Sequence, residues 1–155
     1  MAIAVLAVGA VVPAAPASAG GAVQISGVGL PGPGGCDAAA DGVDPADYVL
    51  VMTGSLQGCL YGYTDVDSIQ FRPSGTWLDR GWEVFVSADD PGDRFWTTQT
   101  FTAKFTEDGQ QFGRCQHKVI GGEGAFDGAT GQINFKDNIV DGSAVDFDYK
   151  GHIRH

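Results

Sequence analysis

Few side chains in this sequence are placed to do chemistry, and most lie in its second half. Strict alternation along the apolar segments puts Gln99, Arg114, Gln116 and Asp137 among phenylalanines, and Glu83 joins them in the simplest register. Phe101, Phe135 and Tyr149 share that face. A charge in apolar surroundings is costly unless paired, so Arg114 is expected to meet Glu83 or Asp137. Two readings follow. In one, Glu83, Arg114 and Asp137 are catalytic candidates: the pair orients the polar head of a lipophile, or Glu83 acts as an acid/base with a pKa raised by burial. In the other, preferred one, the pair is an ion pair closing one end of the fold. Gln99, Phe101, Arg114, Gln116, Phe135 and Tyr149 are the ligand-binding candidates.

Other chemistry finds less support. His117 is expected to face away from Arg114, as an ordinary surface or hydrogen-bonded histidine. His152 and His155 lack partners. Ser74, Ser87 and Ser143 have no Gly-x-Ser-x-Gly context. The acidic stretches Asp37–Asp47 and Asp89–Asp93 lack the Asp-x-Asp-x-Asp-Gly spacing that wraps oxygens around calcium. With no Cys-x-x-Cys pair and scattered histidines, neither a metal nor a cofactor is expected.

The elements that must position these residues are strands. After an N-terminal candidate at Ala22–Val28 comes a Gly/Pro/Asp-rich loop, Gly29–Ala46. Apolar runs then follow at Tyr48–Leu56, Cys59–Tyr63, Ser68–Arg72, Thr76–Val86, Phe95–Thr106, Gln111–Ile120, Gln132–Ile139 and Val145–Ile153. Turn signals separate them, and no helical period appears beyond residue 19. The organisation expected is a leader at 1–19, an N-terminal strand and loop at 20–46, and one all-β domain at 47–155. Such spacing means an antiparallel sandwich or barrel; one aromatic interior and about eight strands favour a single eight-stranded barrel.

Two hairpins set the register. Asp108-Gly109 reads as a two-residue type I′ turn, which opposes Phe105 to Phe112, Ala103 to Arg114 and Phe101 to Gln116. Asp141-Gly142 looks alike, but a two-residue loop there opposes Phe135 to Asp148. A five-residue loop, Val140–Ala144, pairs Phe135 with Tyr149 and keeps the apolar face intact, so the longer loop is expected. Trp96, Thr98, Thr100 and Thr102 then form an outer face. Trp96 there suits a subunit contact in a homo-oligomer.

Charge and cysteines address compartment and partners. The 155 residues carry 9 Lys plus Arg against 19 Asp plus Glu, a formal charge of −10. That acidity argues against nucleic acid or an anionic membrane as partner. Residues 1–19, MAIAVLAVGAVVPAAPASA, pair a short apolar run with a small-x-small end, the pattern of a secretory leader, though without its opening basic residue. No run is long enough to span a bilayer after it. In an oxidising compartment three cysteines form at most one internal bridge. Cys59 with Cys115 is the expected pair, since both lie in strand-like segments; Cys36 could pair with either.

The stretch Gly122-Glu123-Gly124-Ala125-Phe126-Asp127-Gly128-Ala129-Thr130-Gly131-Gln132-Ile133-Asn134-Phe135 resembles a segment of allene oxide cyclase-like and dirigent-like β-barrels, including small secreted actinobacterial members. The resemblance covers about residues 47–154 and is strongest over 95–154. It implies an eight-stranded antiparallel barrel with a lumen, often dimeric or trimeric. Plant members confine a reactive lipophile, and no catalytic residue of theirs maps position by position here. The glycines are not a dinucleotide fingerprint, because a strand follows where a helix is needed.

The expectation is a secreted barrel binding a small lipophilic molecule in its lumen. Its rivals are a cyclase or isomerase in the same lumen, and a structural or interaction barrel filled by side chains.

Overall fold

The computed structural model describes residues 21–32, 34–37 and 45–155. The expected leader at 1–19 and much of the expected Gly29–Ala46 loop lie outside them. Eight strands run in order: β1 (Val23–Pro31), β2 (Tyr48–Gly54), β3 (Gly58–Phe71), β4 (Thr76–Ser87), β5 (Arg94–Thr106), β6 (Gly109–Glu123), β7 (Thr130–Val140) and β8 (Ser143–Arg154). Each pairs antiparallel with the next, and β1 pairs with β8, so the sheet closes into a barrel. Closure satisfies both edges of every strand, which an open sheet of this length would leave exposed. The barrel thus begins at Val23, ahead of the 47–155 span expected, and β3 runs unbroken through two expected segments with one irregularity between Asp65 and Gln70.

Alternation decides what faces inward. Ile25, Leu50, Met52, Leu60, Phe85, Phe95, Val119, Ile133, Phe135, Tyr149 and Ile153 form one buried cluster. The two ends of the barrel differ. At one end Phe85 stacks on Phe95 with centroids 4.8 Å apart, and Phe126, from the short 3-10 turn Gly124–Phe126, packs edge-on against both. Ring pairs in this geometry add about 0.5–1.5 kcal/mol beyond the area they bury. That end is packed solid. The other end, where β1 runs out at Pro31 and β2 begins at Tyr48, is open.

Two bulges set the phase of the strands, and both depart from the expected hairpins. Between β5 and β6 the turn residues are Glu107 and Asp108, and Gly109 (φ 95°) already pairs with Thr106. A type I turn followed by a left-handed glycine gives this geometry. A further irregularity between Lys104 and Phe105 brings Phe101 opposite Cys115 and Gln99 opposite His117. The pairing is one residue away from that expected, and one residue inverts a strand. Between β7 and β8, Asp141 (φ 48°) and Gly142 (φ 74°) do form a two-residue turn, with a bulge between Asn138 and Ile139 restoring Phe135 opposite Tyr149. The expected pairing is present; the five-residue loop is not.

Outside the wall lies a second cluster of Tyr61, Tyr63 and Val84, joined by Ala46, Val49, Cys59, Val86 and Trp96. Trp96, expected on an open outer face, is partly covered there. Here Cys36 is bonded to Cys59. The expected Cys59–Cys115 bridge is therefore corrected: Cys59 points outward beside Tyr61, and Cys115 is the free thiol on the inner face. A sheet wall separates them. Among the described residues no helix is long and apolar enough to cross a membrane.

Candidate functional site

The open end leads into a cavity of about 620 Å³. Its apolar wall comes from Val49 and Leu50 of β2, Phe101 of β5, Phe135 of β7 and Phe147 of β8, with Pro31 and Ala46 at the rim. Polar side chains converge on its floor: Tyr48, Asp79, Glu83, Gln99, Cys115, His117 and Asp137.

Glu83 is the centre of this group and is fully buried. Its Oε1 accepts a hydrogen bond from the Tyr48 hydroxyl at 2.7 Å, and its Oε2 accepts one from Thr97 Oγ1 at 2.5 Å. His117 Nδ1 contacts the same Oε2. The backbone explains the convergence. Tyr48, Gly62, Glu83 and Thr97 lie in one register row across β2, β3, β4 and β5. The row has a gap at Gly62, where a Cβ would lie 1.9 Å from the Tyr48 ring. With no side chain on β3, the tyrosine lies across that strand and reaches Glu83 on the next.

Charge and burial compete at Glu83. Burial pushes its carboxyl up; the neighbouring His117, with hydrogen bonds from His117, Thr97 and Tyr48, outweighs it and leaves the group below its ordinary value. This corrects the expected upward shift, because the partners are three donors on the inner face and not Arg114. An ionised carboxylate only accepts, so Nδ1 of His117 donates to it. The His117 ring packs against Phe135, centroids 4.4 Å apart, and its Nε2 is buried without a hydrogen-bond partner among the described residues. Burial raises the Tyr48 hydroxyl well above its ordinary value, reinforced by Glu83.

Two flanking carboxylates complete the floor. Asp79 accepts from Gln99 Nε2 at 3.1 Å and from Trp77 Nε1 at 2.6 Å. Gln99 in turn accepts from the Cys115 thiol at 3.2 Å. Burial pushes that thiol well up, with Glu83, Asp79 and Asp137 adding to the effect. Asp137 accepts from Gln110 Nε2 over the bare backbone of Gly113. It is 4% exposed; burial raises its pKa, offset in part by Gln110 and by Arg114.

The residues singled out from the sequence separate accordingly. Glu83, Gln99, Phe101, Phe135 and Asp137 line one cavity. Arg114 and Gln116 are exposed on the outer face, a consequence of the β5–β6 bulge, and the Arg114 guanidinium donates to Gly113 O at 2.8 Å. No Arg114–Glu83 or Arg114–Asp137 ion pair forms. Tyr149 lies in the packed core, its hydroxyl donating to Thr53 O and accepting from Leu56 N, both at 2.8 Å. His117, expected outside, is inside. Sequence reasoning also passed over Tyr48, Asp79 and Cys115 as lumen groups. One signal was available: Arg114, Gln116 and Lys118 alternate as a polar face, which leaves Cys115, His117 and Val119 to face the core.

Fold and site together define a small closed antiparallel barrel, plugged by aromatics at one end and opening at the other onto an apolar lumen with a buried acidic and imidazole floor. The chain matches no protein-family model, no curated protein and no solved structure.

Proposed function

We propose that this protein is a secreted barrel that binds a small lipophilic molecule in its lumen. The observation that carries the reading is the cavity of about 620 Å³, walled largely by apolar side chains with a few polar groups converging in it. Small-molecule sites are built this way, in volumes of roughly 300–1,000 Å³. That volume also weighs against an interior filled by side chains. Secretion is supported by the leader pattern and by the Cys36–Cys59 disulfide, a bond that persists in oxidising compartments. Kinship with the allene oxide cyclase-like and dirigent-like barrels belongs to the same reading, supported by the strand count and by Phe126 and Phe135 of the shared segment, which plug and line the barrel. Exposed Val66 (71%), Phe71 (61%) and Trp82 (44%) on β3 and β4 support self-association.

Titration with the neutral dye Nile red tests the proposal: saturable binding of one dye per chain is expected. Native mass spectrometry of protein taken from culture medium is expected to show a carried ligand. Absence of both rejects the reading.

A second reading, an isomerase or cyclase in the same lumen, is favoured by one observation. A buried carboxylate holds His117 by Nδ1 and leaves Nε2 unpartnered in a ring that lines the cavity. A carboxylate that fixes the tautomer and orientation of an imidazole makes it a general base. Under this reading His117→Gln retains Nile red and loses turnover of a lipophilic epoxide; no turnover of such substrates by the unaltered protein rejects it.

A further inference from the structure

We propose, resting on the lumen-binding reading, that the ligand is a lipophilic amine held as its ammonium ion. The reason is the inventory of donors, acceptors and charges on the cavity floor.

The donors around the floor are directed at protein acceptors. Tyr48 and Thr97 donate to Glu83, Cys115 to Gln99, Gln99 and Trp77 to Asp79, and Gln110 to Asp137. What faces the lumen in surplus is acceptor capacity, because each carboxylate has about four lone-pair directions. His117 adds no free donor through Nδ1, which is committed to Glu83 on a side chain 3% exposed.

Charge points the same way. Asp79, Glu83 and Asp137 line the cavity and Asp47 stands at its rim, while no Lys or Arg lines it. His117 is the single basic side chain there, and it is engaged with Glu83. A fatty acid would bring a like charge into this field. An alcohol could donate to one carboxylate but would leave the negative charge uncompensated. A protonated amine supplies both missing components: N–H donors for the carboxylates, and a positive charge. Phe101, Phe135 and Phe147 then take the hydrocarbon, and a ring face near the ammonium adds a cation–π contribution. A metal ion fits less well, since the described residues contain no group of three or more His, Cys, Asp or Glu arranged to hold one.

Calorimetric titration at about pH 7 with octylamine, octanol and octanoate tests this, beside the Nile red assay. Octylamine is expected to bind at least about tenfold more tightly than either other probe. The ratio of amine to alcohol affinity is expected to fall in Asp79→Asn and in Asp137→Asn, two near-isosteric changes, and to stay put in Gln116→Ala on the outer wall. Equal or tighter binding of octanol or octanoate overturns the inference, as does an amine preference that survives both Asn substitutions in one chain. If Nile red binds and no octyl probe does, this inference fails alone. If nothing binds, the lumen reading fails and takes the inference with it.

Discussion

His117 Nδ1 meets Glu83 Oε2 inside a closed barrel, across an interval of 34 residues in sequence, with both side chains at most 3% exposed. The pair is held by neighbours on three other elements: Tyr48, Thr97 and Phe135.

Removing Glu83 should cost more than any single hydrogen bond. Glu83→Ala leaves the Tyr48 and Thr97 hydroxyls and His117 Nδ1–H buried without an acceptor, and breaking such a buried pair costs about 3–5 kcal/mol. Urea denaturation reads the loss. The pH dependence has a definite sign. The folded-state pKa of Glu83 lies below its ordinary value of 4.5, so its stabilisation is fully present above that value and is lost as pH falls through the lower folded-state one. Glu83→Gln should flatten this acid limb.

Asp137 should behave in the opposite sense. Its folded-state pKa is raised from 3.8, so ionisation favours the unfolded chain, and stability is lost as pH rises through the raised value. Asp137→Asn keeps an acceptor for Gln110 and removes the charge. A gain under about 1 kcal/mol is expected near pH 7, small because Gln110 and Arg114 already offset part of the burial penalty, and none below about pH 3. Urea midpoints at the two pH values check it.

Gly62→Ala should disturb Glu83 without touching it. The new Cβ would occupy the Tyr48 ring, so the tyrosine must swing away and Glu83 loses one donor. A destabilisation of about 1–3 kcal/mol is expected. In a Tyr48→Ala background the same substitution should cost measurably less, a non-additivity that identifies the ring as the obstacle.

The cysteines offer a covalent check. Peptide mapping should recover Cys36 joined to Cys59, and Cys36→Ser should lower stability by about 3 kcal/mol for a bridge of sequence separation 23. Cys115 should react with thiol reagents only slowly in the folded protein, because burial holds its thiol protonated. A Cys59–Cys115 peptide would refute the assignment.

Arg114→Ala and Gln116→Ala should leave the affinity for the neutral dye Nile red unchanged within error. Both side chains lie on the solvent face of β6, although apolar alternation read from the hairpin turn places them inside.

What the sequence determined by itself is substantial. Period-2 alternation with turn signals specifies antiparallel strands in a sandwich or barrel, one aromatic interior favours the barrel, and within β5 and β7 the phase is strong enough to put Gln99, Phe101, Phe135 and Asp137 on the inner face. Alternation acts within one strand: Phe95 and Phe101 fix the phase in β5, and Ile133 with Phe135 fixes it in β7. Tertiary structure decided the phase between strands. The irregularity at Lys104 and Phe105 shifts the register by one residue, which exchanges Arg114 and Gln116 for Cys115 and His117, and no local preference marks it as strongly as Asp108-Gly109 suggests a tight turn. It also decided the contacts that cross strands: Tyr48 reaches Glu83 only because Gly62 between them has no side chain, and Cys36 finds Cys59 only because Cys115 faces the other side of the wall. A sequence records which face each strand prefers; closing the barrel decides which residues of different strands meet there.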